Sequence, residues 1–163
     1  MSLRLHELTL IHLKLRGHPA DLARYAGLAL QRSGHRSPTP AEISHNAQKS
    51  TDAIEWTNQD LAALNVIDTN RLTEDGAEGI ALCYAHSIGG WIVKRRLERG
   101  ESADWLLQNG SRYLALEVSG LIKGDCARRL KEKKAQVARC GLPVERLAVV
   151  VAFDRPAILA GTV

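Results

Sequence analysis

The sequence predicts an α/β fold, a mixed sheet flanked by helices, with a mostly helical segment ahead of it over residues 1–72. Three features point there. Short runs rich in Trp, Ile, Val and Leu fill 91–97, 104–108 and 112–119, each bounded by Gly-containing turns. A basic, helix-period stretch covers 125–140. A continuous aliphatic run over 147–153 then reads as a strand buried on both faces. A strand–helix–strand return makes part of the sheet parallel, and the hairpins make the rest antiparallel.

Within the first segment, Leu5, Leu8, His12 and Leu15 fall at helical spacing, with Gly17 as a stop. Strand alternation through Leu8, Leu10, Leu13 and Leu15 competes with that reading. Residues 20–32 form a better helix, with Leu22, Tyr25, Ala26 and Leu28 on one side. A turn-rich loop follows over 33–40, and Thr39-Pro40 reads as an N-cap with proline at the first helical position. Two helices joined by a polar loop invite a helix-turn-helix reading.

The second unit, 73–163, begins with a helix that Thr73, Glu74 and Asp75 open acid-first. Ile80, Cys83 and Tyr84 share its face, and it fades near His86. After Gly89-Gly90 come the three strands, then a helix opened by Gly124-Asp125 with Cys126, Leu130, Val137 and Cys140 as its stripe. Gly141 and Pro143 end it, and Arg155-Pro156 stops the last strand. The two units are expected to form one body.

Composition sets bounds on function. With 163 residues and 45% hydrophobic content, the chain is long enough for one well-cored domain. A formal charge of +4 is compatible with a polyanionic partner without requiring one. Cys83, Cys126 and Cys140 form no CxxC pair, so they are expected to be small apolar residues in a reducing compartment. His6, Glu7, His12 and Lys14 interrupt the leucines of the first sixteen residues, and no apolar run approaches the roughly 18 residues of a membrane span. The expectation is a soluble, cytoplasmic protein. Phosphate-loop, GxSxG and HExxH motifs are absent.

Chemistry concentrates in the 104–119 hairpin. Strand alternation puts Tyr113, Ala115, Glu117 and Ser119 on one face, and Leu114, Leu116 and Val118 on the core face. Glu117 is expected to point away from the core at its strand's end, beside Asp104 at the start of the preceding strand. A turn over 108–111 brings the two together. Paired carboxylates repel unless a cation or proton lies between them, and Glu78 on the preceding helix offers a third oxygen ligand. The competing reading is a pair of solvated edge acids with Arg95, Arg112 or Arg128 as ion-pair partners.

The order helix with Glu78, strand, Asp104, hairpin, Glu117-Val118-Ser119, basic helix, apolar strand resembles the core of the PD-(D/E)XK (restriction endonuclease-like) phosphodiesterase superfamily. The resemblance covers 74–156, about half the chain. It implies Mg²⁺ or Mn²⁺ held by Asp104 and Glu117, helped by Glu78, and hydrolysis of phosphodiester bonds in DNA by an endo- or exonuclease. Ala103 replaces the motif's proline. Ser119 stands where its lysine should be, and serine brings no positive charge. Some members of the superfamily carry that lysine elsewhere. Here Lys134, which shares a helical side with Leu130 and Val137, is ranked first and Lys123 second; Lys94 and Lys131 are further candidates, and Gln136 could orient a water or phosphate.

Arg128, Arg129, Lys131 and Lys133 suit a DNA backbone, or are simply a solvated helix face. Two alternatives stay open: an inactive module of this fold that binds DNA or a protein partner, and a generic α/β interaction protein. Residues 1–72 would set substrate shape or form a homodimer.

Overall fold

The computed structural model describes residues 2–15 and 18–163. The helix stop expected at Gly17 lies outside them. Strand β1 (Ser2–Arg4) leads through a single 3₁₀ turn into α1 (Leu8–Ile11), and α2 (His18–Arg32) follows. Leu5 and Leu8 are buried, but the expected continuous helix is broken into short turns.

The chain after α2 corrects the sequence reading. Thr39-Pro40 caps no helix, and there is no helix-turn-helix: β2 (Thr39–His45) and β3 (Gln48–Glu55) form an antiparallel hairpin. Thr39, Ala41 and Ile43 are buried, while Pro40 and Glu42 are exposed, which is strand alternation. Pro40 is tolerated because pairing on the other side of β2 starts only at Glu42, so its missing N–H breaks no bond there. The Asn46-Ala47 turn has φ of 48° and 68°, as a two-residue hairpin turn matched to strand twist requires.

Helix α3 (Thr69–Gly89) starts a turn earlier than the acids at 74 and 75 suggested, because Asp68 accepts the Arg71 N–H at 3.0 Å and is the true cap. Strands β4 (Ile92–Arg96), β5 (Trp105–Asn109) and β6 (Arg112–Leu121) form a meander closed by the Gly110-Ser111 turn, shorter than expected. Helix α4 (Cys126–Val137), capped by Asp125, crosses over to β7 (Glu145–Ala152), which runs parallel to β6. An unexpected last strand, β8 (Ala157–Thr162), returns antiparallel to β7 and parallel to β2.

All eight strands make one mixed sheet in the order β1-β3-β2-β8-β7-β6-β5-β4. The fold is therefore α/β, and its second unit has the expected element order with β8 added. Helices α2 and α3 cover one face, enclosing the larger core of Leu22, Leu28, Ile80, Leu82, Leu116 and Val149. Helix α4 covers the other, over a smaller core of Ala115, Val137, Cys140 and Ala148. Gly120 sets how closely α3 approaches β6: a Cβ there would overlap the Thr73 carbonyl oxygen and lie 2.9 Å from the Ala77 Cβ. Among the described residues no helix is long and apolar enough to cross a membrane.

His12 ties the N-terminal segment to the edge strand. It is 1% exposed, and its Nδ1 accepts the Val93 N–H at 3.1 Å. Burial, with His86 nearby, holds its pKa down to about 4 from an ordinary 6.5. The unfolded chain therefore takes up this proton first as pH falls. The stabilisation is complete above 6.5 and is lost between 6.5 and 4, by about 3 kcal/mol. Asparagine keeps an acceptor for Val93 without titrating. The stability advantage of wild type over His12→Asn, followed by urea unfolding, is expected to shrink by that amount between pH 7 and pH 4; a pH-independent difference would show that His12 does not stay neutral.

Candidate functional site

Asp104 stands one residue before β5, and its side chain takes over the ladder there. Its N–H donates to the Leu116 carbonyl at 2.9 Å, and its Oδ2 accepts the Val118 N–H at 2.8 Å. Because Trp105 pairs with Leu116, Asp104 falls opposite Glu117. From Glu117 onward β6 has lost β5 as a neighbour, while β7 stays paired to it as far as Leu121. The sheet is thus open on one side, and helices α3 and α4 flank the gap from opposite faces. The result is a cleft of about 310 Å³ lined by Glu74, Glu78, Arg96, Asp104, Arg129 and Lys133 with residues 118–120.

Glu117 adjoins the cleft through Lys133, which lines it and bonds the Glu117 carboxylate. It is neither at the strand's end nor directed away from the core, because the face it shares with Ala115 is buried under α4. It is 1% exposed. Its Oε1 accepts from Lys133 Nζ at 2.5 Å, and its Oε2 is buried without a partner. Burial, then the Asp104 charge and a close carboxyl–carboxyl contact with Asp104, push its pKa up to about 7, against the pull of Lys133. Two neighbouring carboxyls and one orphaned oxygen make a site that favours a proton or a cation.

Glu78 is buried on α3 and its pKa is raised, first by burial. It is already engaged: Arg96 Nη1 donates to its Oε2 at 2.6 Å, while Arg96 Nη2 lies 3.9 Å from Asp104 Oδ1. The guanidinium also stacks over Trp105, 4.5 Å from the ring centroid. Among the described residues no three His, Cys, Asp or Glu side chains converge on one metal position. Mg²⁺ does not need such a cage, since one or two carboxylates with water and phosphate oxygens suffice. Asp104 with the unpartnered Oε2 of Glu117 fits that requirement.

The lysine that enters the cleft is neither of the two ranked first. Lys133 enters the cleft, with only 19% of its side chain exposed, and its Nζ also donates to Gln136 Oε1 at 3.2 Å. Lys134 lies on the other side of α4, with its chain over Gly161 of β8. Lys123 is exposed in the loop after β6 and Lys94 is exposed on β4. Ser119 contributes to the cleft wall. Of the set expected to meet a DNA backbone, Arg128 and Lys131 are exposed, Arg129 lines the cleft, and Lys133 is turned inward. Arg128 and Arg129 both pair with Glu132, at 3.6 and 3.3 Å.

The sequence reading assigns Lys133 to a DNA backbone rather than to the cleft, and it does not single out Arg96. Lys133 sits three after Leu130 and four before Val137, so the spacing that favoured Lys134 fits it equally well. Arg96 carried no signal, because its placement depends on a bulge. A wider hollow of about 580 Å³ lies by His45 and Tyr84. It lacks what the cleft has beside it, a buried carboxylate oxygen without a partner.

Comparison with protein-family models, with curated proteins and with solved structures finds no match for this chain.

Proposed function

We propose that the chain is a metal-dependent nuclease of the PD-(D/E)XK kind, hydrolysing phosphodiester bonds in DNA, with Lys133 in the role of the lysine that Ser119 lacks. The observation that carries this reading is the Lys133 ammonium on buried Glu117, opposite Asp104, in a cleft where the sheet opens. Asp104 and Glu117 would hold Mg²⁺ or Mn²⁺. Bound there, the ion would polarise the scissile phosphate and lower the pKa of an attacking water.

The chain's own groups do the rest. Glu117 and Gln136 take two of the three Lys133 N–H bonds and so fix the ammonium's direction. The third is left for a water or a phosphate oxygen. A fixed positive charge there stabilises charge developing on the phosphate, in surroundings that need no reorganisation. Arg129 lines the same cleft, and Arg128 and Lys131 extend the positive surface along α4, for backbone contacts without base readout.

A second reading, an inactive module that binds DNA or a protein partner, is favoured by Arg96, which already neutralises Glu78 and approaches Asp104. One experiment separates the two. Calorimetry should show Mn²⁺ binding to wild type, and at least a hundredfold weaker binding to Asp104→Ala. Wild type alone should cut linear, branched or single-stranded DNA when Mn²⁺ is present. No Mn²⁺ binding, with or without DNA, would leave the acids structural and the binding module as the answer.

A further inference from the structure

The bulge in β4 decides which way Arg96 points. Val93 pairs with Leu107 and Arg95 with Leu106, so Lys94 is an extra residue in the strand. In a regular strand, Val93 and Arg95 would share a face and Arg96 would point to the other. The bulge shifts the phase by one. Arg96 pairs with Trp105 and lies on the face of buried Val93, toward Glu78 of α3, with its other guanidinium nitrogen 3.9 Å from Asp104 at the open end of the sheet. Bulges beside sites commonly re-aim a side chain in this way.

Arg96 is also only partly committed. Half of its side chain is exposed, while the Glu78 it bonds is 10% exposed and the Asp104 it approaches is 26% exposed. It is seated on the Trp105 ring at the rim of the cleft, with the two acids beneath it. A planar fork that bridges carboxylates equally suits two oxygens of a phosphate.

We infer that Arg96 is a phosphate-binding residue that occupies the acids until substrate arrives. Its guanidinium is the counter-ion of Glu78 and Asp104 in the free protein, and it transfers to a phosphate of the nucleic acid as a divalent cation takes its place. The inference rests on the proposed metal-dependent reading of the cleft. It makes cation and nucleic acid cooperative: each removes a reason for Arg96 to stay where the other must bind. The free protein then binds metal weakly, and substrate completes the site.

The test is Mn²⁺ calorimetry at pH 8 on the full chain. Arg96→Met keeps a stem against Trp105 and removes the competing charge, and is expected to bind Mn²⁺ about tenfold more tightly than wild type, the size of effect that one nearby unit charge exerts. Arg96→Lys retains the charge without the fork and should gain less; it serves if the methionine variant does not fold. In a Lys133→Met background, chosen to slow cleavage, anisotropy with a labelled 20-nucleotide duplex should show Arg96→Met weakening DNA binding several-fold with Mn²⁺ and hardly at all without it. Mn²⁺ affinity that depends on Asp104 but is unchanged in both Arg96 variants would overturn the inference and leave the nuclease reading standing. Mn²⁺ bound by neither wild type nor variants would overturn both.

Discussion

Lys133→Met is expected to slow DNA cleavage by about 10²–10³-fold, the usual effect of removing one preorganised electrostatic donor from a hydrolytic site. Lys134→Met, one residue along, is expected to leave the rate within twofold of wild type. The contrast follows from position. Lys133 Nζ is 2.5 Å from Glu117, whereas the Lys134 chain lies over Gly161 on the far side of α4. Loss of Lys133 also removes the one group that lowers the Glu117 pKa, so Glu117 holds its proton to higher pH. The comparison therefore belongs at pH 8.5, above the ordinary range of a carboxyl even when raised. There Mn²⁺ affinity should be retained while the rate falls. A rate that falls only because metal binding is lost would make Lys133 a structural partner of Glu117 rather than a catalytic group. Equal losses in both variants would remove the assignment altogether.

How much of this is legible in the sequence differs from residue to residue, for physical reasons. The opposition of Asp104 and Glu117 was readable, because a hairpin with one short turn leaves little freedom of register. The apolar run at 147–153 was equally plain, since its length and its Val-rich composition suit a strand covered on both faces, and Leu147 to Ala152 are all buried. The β2–β3 hairpin was obscured by Pro40, which reads as a helix start. Its true context, a strand residue ahead of the β8 pairing, is a tertiary fact. Strand β8 is short and directly follows Pro156, which reads only as the stop of the strand before it.

The candidate site shows the same division. Glu117 as a chemistry-bearing position came from alternation, but its burial did not, because the helix that covers it is 16 residues away in sequence at Lys133. Lys133 and Lys134 were indistinguishable by spacing. What separates them is the roll of α4 over the β6-β7-β8 part of the sheet, which places one lysine above β6 and the other above β8. Arg96 was invisible because nothing in Val93, Lys94, Arg95, Arg96 says which of the three basic residues is the extra one.

Glu117→Gln separates stability from function most sharply. Its carboxyl pKa is raised from an ordinary 4.5 to about 7, so the unfolded chain gives up that proton first as pH rises. Wild type therefore loses stability relative to a non-ionising variant between pH 4.5 and 7, and the loss is complete above 7. The glutamine variant is expected to match wild type below pH 4.5 and to be more stable by about 1–3 kcal/mol at pH 7.5, while losing Mn²⁺ binding and at least about 10³-fold in cleavage. Urea unfolding at several pH values, beside calorimetry, checks both halves. On the proposed reading, a carboxylate buried at this cost and with an oxygen lacking a hydrogen-bond donor is kept for a cation that would offset the cost. If the pair with Lys133 were instead a stabilising bridge, glutamine would leave the ammonium half-satisfied and the variant would be less stable at pH 7.5. That result would move Glu117 from the chemistry of the cleft to the packing of α4 on the sheet.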